Sequence, residues 1–206
     1  MEVFVAGAHG KTGTLIVEQL LGGGHGVRAL LREDGQRDDL RDGASAVIGS
    51  LPGDVDASWL DGVEAVVFAA AGPSGHEDEV DHRGAEALAR AAAAAGVGHY
   101  VLVSALGAHE PTAWGPTYEA YLCAKADGEA AVRESGVPYT ILRPGSLSVA
   151  AATGLVTLRR DPGGAGSLPR ADLAAAVVAV VGRGPLADTF EVVGGGTGVA
   201  EAVAAL

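Results

Sequence analysis

The chain opens with Val3-Phe-Val-Ala-Gly-Ala-His-Gly-Lys-Thr-Gly13, in which an apolar run leads directly into three glycines at intervals of three residues. The apolar run is typical of a β-strand, and Leu15–Leu21 after the loop follows the period of a helix. Between a strand and a helix, Gly7 permits a tight turn, Gly10 lets the backbone approach a pyrophosphate, and Gly13 allows close helix packing. The helix N-terminus also directs backbone amides toward phosphate oxygens. The stretch therefore predicts a dinucleotide-binding loop.

Strand and helix patterns alternate along the rest of the chain. Further strands are predicted at Val27–Leu31, Ala46–Ile48, Ala65–Ala70, Tyr100–Ser104, Tyr139–Arg143 and Thr189–Val193. Further helices are predicted at Arg37–Arg41, Val80–Ala95, Thr117–Ser135, Arg170–Val181 and Val199–Leu206. This alternation predicts an α/β fold with a doubly wound parallel sheet, a Rossmann fold, whose ligands bind at the carboxyl ends of the strands.

The sequence contains no internal repeat and shows no sign of a second domain. Residues 1–206 are expected to form a single NAD(P)-binding Rossmann domain with a small C-terminal substrate cover. The glycine-rich stretch Gly154–Pro169 is interpreted as a flexible loop, and residues 146–170 as a substrate-side loop region.

Composition excludes several classes of function. The 14 basic and 26 acidic residues give a net charge of −12, which opposes the phosphate backbone of nucleic acids. One cysteine, Cys123, excludes an intrachain disulfide framework, and the histidines have no metal-ligand spacing, so we expect no metal. Without a leader or a membrane-spanning run, we expect a cytoplasmic protein, a monomer or homodimer, with no membrane partner.

The residues after the second predicted strand decide between NAD and NADP. Arg32 follows Leu31 directly, and a planar guanidinium suits the additional phosphate of NADP. Glu33 and Asp34 come next, and an acid at this place binds the ribose diol of NAD. NADP is therefore favoured and NAD stays possible, while Arg28 is expected to point elsewhere.

A second candidate motif is Tyr121-x-x-x-Lys125, whose side chains lie one turn apart on a predicted helix. A lysine ammonium stabilises a phenolate, so Tyr121 could donate a proton to a carbonyl oxygen while hydride arrives from a nicotinamide. Lys125 could also hold the nicotinamide ribose. Ser104 ends the fifth predicted strand, where its hydroxyl could bind the same carbonyl. The alternative interpretation is an ordinary surface pair with i,i+4 spacing.

These motifs together resemble the atypical short-chain dehydrogenase/reductase group, which includes NmrA-like regulators and biliverdin reductase B-like flavin reductases. The matching stretches are Val3–Gly13, Ala29–Arg32, Val101–Ala105, Tyr121–Lys125 and Tyr139–Gly145. The resemblance implies that the residues after the fourth strand flank the adenine ribose and those after the sixth flank the nicotinamide. The expected cofactor-binding residues are Gly7, His9, Gly10, Lys11, Thr12, Gly13, Arg32, Ser50, Leu51, Ala69, Ala70, Ala71, Gly72, Lys125, Pro144, Gly145 and Ser146.

One departure from the group follows the third strand, where related sequences commonly carry a Gly-Asp pair that contacts adenine. Here the pair is Gly49-Ser50, so a hydroxyl replaces the carboxylate. A second feature is the loop Leu106–Pro116, whose His109, Glu110 and Trp114 could line an acceptor site or form an ordinary surface loop.

The activity expected from this combination is an NADPH-dependent reductase that transfers hydride to a small ketone, quinone or flavin-like acceptor. In that interpretation Ser104, Tyr121 and Lys125 are the catalytic residues. Two alternatives stay open: a non-catalytic NADP-binding redox sensor of the NmrA-like type, and a flavin reductase in which the tyrosine plays no chemical part.

Overall fold

The first strand and the glycine loop take the form that the sequence predicts. A computed structural model describes residues 1–53 and 55–206 of the chain. In it β1 spans Glu2–Ala6 and α1 spans Gly13–Gly22, so the three glycines connect a buried strand to a helix.

The predicted strands follow in the predicted order, together with four short strands that were not predicted. The remaining strands are β2 Gly26–Leu31, β3 Ala44–Ile48, β4 Ala65–Phe68, β5 His99–Val103, β6 Tyr139–Pro144, β7 Ser146–Ser148, β8 Leu155–Arg159, β9 Ser167–Pro169, β10 Asp188–Gly194 and β11 Thr197–Gly198. The four that were not predicted are β7, β8, β9 and β11. The remaining α-helices are α2 Ala85–Ala94, α3 Pro116–Glu134, α4 Arg170–Arg183 and α5 Val199–Ala204. Short 3-10 turns lie at Asp34–Asp39, Ala57–Leu60 and Pro111–Trp114, and a π-helical segment lies at Asp78–Gly84. The helix predicted at Arg37–Arg41 is wrong, because the chain there forms the 3-10 turn at Asp34–Asp39 instead. No described helix is both long enough and apolar enough to cross a bilayer.

The main sheet has nine strands in the order β11-β8-β10-β6-β5-β4-β1-β2-β3. From β10 to β3 every neighbouring pair is parallel, which confirms the doubly wound Rossmann fold. The strand order reverses between β1 and β4, and the carboxyl ends of these two strands meet at Ala6 and Phe68. Ligands of such sheets bind in the crevice at this reversal.

Side chains of each central strand alternate between two cores, one on each face of the sheet. On β1, Val3 and Val5 pack with α1, α4 and α5, whereas Phe4 packs with α2 and the end of α3. On β4, Val67 faces the first core and Phe68 the second. Because both faces are covered, these strands are continuous apolar runs with no polar alternation.

The stretch Gly154–Pro169 is not the flexible loop that its glycines suggested. It contains β8, which pairs antiparallel with β10, and β9, which pairs with β7 in a separate two-stranded sheet. The glycines have separate local causes: Gly154 and Gly164 have φ values of +71° and +78°, and a Cβ at Gly166 would lie 2.4 Å from Val193 Cγ1. Within residues 146–170, strand pairing orders Ser146–Ser148, Leu155–Arg159 and Ser167–Pro169, and the substrate-side role of the region stays a prediction.

The helix predicted at Val80–Ala95 begins earlier and is not uniform. Asp78–Gly84 forms π-helical turns and the α-helix proper starts at Ala85. Gly84 lies close to Leu51, whose Cβ would stand 3.1 Å from a Cβ added at Gly84. Insertions of this wider helical form often mark functional positions.

A buried histidine at the start of β5 gives the fold a pH dependence. His99 is fully enclosed, and its Nε2 lies 2.9 Å from the Thr140 hydroxyl oxygen. Burial lowers the pKa of His99 to about 4, against an ordinary value of 6.5, and outweighs the opposing effect of the nearby Val181 backbone. The neutral imidazole is therefore the folded form at neutral pH.

We expect the free energy of unfolding to fall as the pH is lowered from about 6.5 to about 4, because the unfolded chain takes up a proton that folded His99 refuses. A shift of this size corresponds to roughly 3 kcal/mol. Denaturant unfolding at a series of pH values should show a shallower slope in His99→Gln than in the wild type. The exposed His109→Gln variant is the control and should keep the wild-type slope; an unchanged slope in His99→Gln would contradict the assignment.

Candidate cofactor and active site

The glycine loop passes directly over the end of β4. Gly7 has φ +84°, a left-handed conformation that favours glycine, and a Cβ there would lie 2.6 Å from the Ala70 amide nitrogen. The Gly10 amide donates to the Gly7 carbonyl at 2.9 Å, which closes the turn. A side chain at Gly13 would overlap the same carbonyl, so α1 can begin directly beneath the loop only with glycine there.

Two clefts lie on either side of the Ala69–Ala71 segment that follows β4. The β3-side cleft has a volume of about 220 Å³ and is lined by Gly7, His9, Gly10, Leu30, Arg32, Gln36, Gly49, Ser50, Leu51, Ala69, Ala70, Ala71, Pro73 and Val80. The β6-side cleft has a volume of about 390 Å³ and is lined by Thr12, Ala69, Ala70, Ala71, Val103, Ser104, Ala105, Leu106, Trp114, Tyr118, Tyr121, Leu122, Lys125, Pro144, Gly145, Ser146, Leu147, Ala165 and Gly166. Together they form one groove across the carboxyl ends of the strands.

Most of the predicted site residues therefore line this groove, but three do not. Lys11 is exposed at the tip of the glycine loop. Gly13 is buried at the start of α1, and the Gly72 amide faces the carboxylate of Asp81 instead of either cleft. Sequence patterns also missed wall residues that lie far apart along the chain, such as Gln36 and Pro73.

After the end of β2, the Gln36 side chain connects the backbone at Arg32 to the glycine loop at His9. Its Oε1 accepts from the Arg32 amide at 2.8 Å, and its Nε2 lies 3.5 Å from His9 Nδ1. Arg32 is exposed at the rim of the β3-side cleft and has no ion-pair partner among the described residues. The Asp34 carboxylate pairs instead with Arg37, and neither it nor Glu33 lines the cleft.

Arg28 points away from this end of the site, as the sequence predicted. Its guanidinium donates to the carbonyls of Trp59 at 2.7 Å and Asp61 at 3.1 Å. Of the arginines in β2 and in the loop after it, Arg32 is therefore the one that faces the β3-side cleft.

Lys125 is buried in an ion pair beneath the β6-side cleft. Its Nζ lies 2.8 Å from Asp81 Oδ1 and donates to the Val103 carbonyl at 3.0 Å, and the two side chains are 4% and 0% exposed. The other Asp81 oxygen accepts from the Gly72 amide at 2.8 Å. Asp81 therefore links Lys125 to the segment that separates the two clefts.

Ser104 belongs to a second buried network, centred on Glu129. The Ser104 hydroxyl donates to Glu129 Oε1 at 2.6 Å, and Arg143 donates to both carboxylate oxygens at 2.7 and 2.6 Å. Burial raises the pKa of Glu129, but the hydrogen bonds and charge of Arg143, with those of Ser104 and Arg133, outweigh it and leave the pKa below its ordinary value. Glu129 is therefore ionised, and the proton of the Ser104 hydroxyl is directed at it.

Tyr121 lies one turn before Lys125 on α3 and lines the β6-side cleft. The Lys125 ammonium nitrogen is 5.8 Å from the centre of its ring, at the outer limit of a cation–π contact. Tyr118 and Trp114 line the same cleft. Phenol, ammonium and indole groups thus converge on one end of the groove.

Asp78, His82 and Asp127 form an unpredicted cluster in which three ligand atoms lie within 4.8 Å of one another. The two aspartates are exposed, and Asp78 already pairs with His82 at 2.8 Å and with Arg83 at 2.9 Å. These ion pairs account for the cluster without a metal, and the expectation of no metal site stays a prediction.

We expect Asp81→Asn to lower the free energy of unfolding by about 3–5 kcal/mol, because it leaves the buried Lys125 ammonium without its counter-charge. The asparagine oxygen can still accept from the Gly72 amide, so the loss isolates the charge pair. Asp81→Asn/Lys125→Met, which removes both charges, should recover most of the loss in guanidinium unfolding experiments. If the single variant lost less than about 1 kcal/mol, the pair would not be a buried ion pair.

Comparisons with known proteins agree with this geometry. A family model described as NAD(P)H-binding matches residues 7–183. The uncharacterized sugar epimerase YhfK of Bacillus subtilis is 34% identical over 212 residues, covering 98% of this chain and 99% of YhfK. A solved structure from Bacillus halodurans, described as an NAD-dependent epimerase/dehydratase, has a TM-score of 0.92 at 30% identity and covers 100% of both chains. A Streptomyces griseus (4-alkanoyl-5-oxo-2,5-dihydrofuran-3-yl)methyl phosphate reductase is 35% identical over 145 residues, covering 69% of this chain and 46% of its own length. The chain therefore belongs to the NAD(P)H-binding family, within the atypical short-chain dehydrogenase/reductase group that its motifs resemble.

Proposed function

We propose that the protein is an NADPH-dependent reductase that transfers hydride to a small ketone, quinone or flavin-like acceptor. The observation that carries the proposal is the concentration of aromatic side chains in the β6-side cleft. The chain has two tryptophans and four tyrosines, yet Trp114, Tyr118 and Tyr121 all line this one cleft. Aromatic walls favour a planar, conjugated acceptor through stacking.

We infer that a dinucleotide would lie along the groove. Gly7 and Gly10 provide a backbone surface without side chains, and the N-terminus of α1 supplies amides for a pyrophosphate. Adenosine would lie in the β3-side cleft against Ser50 and Leu51, and the nicotinamide in the β6-side cleft. Arg32, free of ion pairs among the described residues, would bind the additional phosphate of NADP.

The bound nicotinamide supplies hydride, and the chain supplies the surroundings of the acceptor. We assign Tyr121 as the donor of the proton that the reduced carbonyl or quinone oxygen requires. Lys125 donates one of its three ammonium hydrogens to the Val103 carbonyl, and its Nζ lies 2.8 Å from Asp81 Oδ1 in an ion pair, so a hydrogen is available to the ribose or to the phenol. The Ser104 hydroxyl directs its hydrogen at Glu129, so it can serve the acceptor only through its oxygen lone pairs.

Ser104 pairs with Glu129 and Lys125 pairs with Asp81, and these contacts are also compatible with two alternative functions, a sensor and a flavin reductase. A sensor that binds NADP without turnover needs both residues only as structural supports. A flavin reductase that transfers hydride without a protein acid would likewise tolerate these pairs. The Streptomyces griseus relative is named a reductase, which supports turnover in this chain.

We expect Tyr121→Phe to lower kcat for NADPH oxidation with a naphthoquinone or a ketone about 10²–10⁴-fold, the usual contribution of general acid catalysis. The Kd for NADPH, measured by fluorescence, should change little because the ring is kept. Tyr118→Phe, in the same cleft wall, is the matched control and should retain activity.

Other outcomes of this experiment separate the alternatives. Full activity in Tyr121→Phe would support a flavin reductase without tyrosine chemistry. Tight NADPH binding with no turnover across ketones, quinones and flavins would support the sensor. Conversion of a nucleotide sugar without net NADPH oxidation would support an epimerase, as the name of the Bacillus subtilis relative suggests.

We expect Arg32→Ala to raise the Kd for NADPH about 10–100-fold, since a charge-assisted hydrogen bond contributes about 1.5–3 kcal/mol. The Kd for NADH should stay within about threefold of its wild-type value, because NADH lacks the phosphate that Arg32 binds. Arg37→Ala removes an exposed arginine of the same loop that already pairs with Asp34, and serves as the control. Equal losses for the two cofactors would contradict the assignment of NADP.

A further inference from the structure

A recess of about 340 Å³ opens beside the β6-side cleft and shares two of its residues, Leu106 and Trp114. We call it the outer recess; its remaining lining residues are His109, Glu110, Ala113, Pro162, Gly164 and Glu191. One wall comes from the loop after β5 and the other from the segment between β8 and β9. A molecule bound at Tyr121 could therefore extend past Trp114 into this recess.

Glu191, one of the lining residues of the outer recess, carries a carboxylate that is only half satisfied. Glu191 on β10 is 2% exposed, and its Oε2 accepts from Arg159 Nε at 2.8 Å and from the Gly163 amide at 3.0 Å. Its Oε1 is buried and has no hydrogen-bond partner in the described part of the chain. The hydrogen bond that Arg159 makes to this carboxylate goes to Oε2, and its Nη2 donates to the Gly164 carbonyl at 3.1 Å.

An unpartnered Glu191 oxygen is energetically costly in the free protein and favours a ligand that can donate a hydrogen bond to it. A buried acceptor without a donor costs about 1–3 kcal/mol, and more when it is charged. Exposed Glu110 adds a second carboxylate at the rim; the lining residues include no lysine or arginine, and Arg159 compensates part of the Glu191 charge from outside the lining. The group that meets both needs is a nitrogen that carries hydrogen and a full or partial positive charge.

We propose that the outer recess is the distal binding site for the acceptor, and that the acceptor carries an N–H donor or an ammonium group on the side away from its reducible centre. The proposal rests on the proposed reductase function and specifies its substrate class. The planar part of the acceptor stacks among Trp114, Tyr118 and Tyr121, and its nitrogen reaches Glu191. A ring imide or amide N–H and an alkylammonium group share this chemistry.

The test uses three naphthoquinones that differ only in a two-carbon side chain, which ends in an ammonium, a hydroxyl or a sulfonate group. We expect the wild type to favour the ammonium over the sulfonate compound at least tenfold in kcat/KM. Glu191→Gln keeps an oxygen for Arg159 and turns an NH₂ group toward the recess, so the preference should fall below threefold. A naphthoquinone fused to an imide ring tests a neutral N–H donor in place of the ammonium group. Its affinity should be lower for Glu191→Gln than for the wild type.

A matched control separates the recess from the general negative charge of the protein. Glu134 is an exposed glutamate at the end of α3, thirteen residues and therefore about 20 Å along the helix from Tyr121. Glu134→Gln removes the same charge and should keep the wild-type preference. An equal effect of Glu134→Gln and Glu191→Gln would overturn the proposal, as would a wild type that does not distinguish ammonium from sulfonate.

Two further measurements keep the proposal testable if a variant or the reaction fails. Should Glu191→Gln unfold because Arg159 loses its counter-charge, Glu110→Gln at the rim should still reduce the preference at least twofold. If no acceptor is reduced at all, the proposed function fails, but quenching of Trp114 fluorescence by naphthalenes with the same side chains still reports on the recess. If the ammonium and sulfonate naphthalenes then bound equally well, the proposal that the outer recess selects an ammonium group would be overturned independently of the reductase function.

Discussion

The contact between the backbone of Gly7 and the backbone of Ala70 fixes the position of everything else in the site. It occurs where β1 and β4 end side by side and their chains diverge to opposite faces of the sheet. Only glycine permits this approach, both for its φ of +84° and for the missing Cβ. The groove in which the dinucleotide is proposed to bind is the space that this divergence leaves, so its two clefts meet at Ala69–Ala71.

Small residues set the second constraint, the close packing of α3 against the segment that contains Asp81. A Cβ at Gly128 would overlap the Asp81 carbonyl, so the two helical segments touch through their backbones. This approach brings the Asp81 carboxylate within reach of Lys125 and excludes water from the pair. Buried pairs of this kind add little net stability, yet they penalise any arrangement that separates the charges. The π-helical turns of Asp78–Gly84 lie at this place in the chain.

Local sequence patterns could predict the sheet and the glycine loop because each depends on neighbouring residues. Apolar runs such as Ala65–Phe68 report burial on both faces, and the glycine spacing reports a turn. Partners separated by long stretches of chain left no such signal: Asp81 and Lys125 are 44 residues apart, and Ser104 and Glu129 are 25 apart. The strands at Leu155–Arg159 and Ser167–Pro169 were missed because they are short and flank a glycine run, whose sequence is typical of loops.

The polar stripe of α3 explains how one motif can serve structure and chemistry together. Tyr121, Lys125 and Glu129 follow one another at intervals of four residues, so they lie along one face of the helix. The two lower side chains are held from below, Lys125 by Asp81 and Val103, and Glu129 by Ser104 and Arg143. Both anchors tie α3 to the end of β5, which fixes the height and rotation of the helix over the sheet. Tyr121 above them reaches the cleft from a rigid support, and a group that must meet a reacting atom within a fraction of an ångström needs such support. Lys125 and Ser104 therefore hold Tyr121 over the cleft, which is the arrangement that the proposed proton transfer from Tyr121 requires.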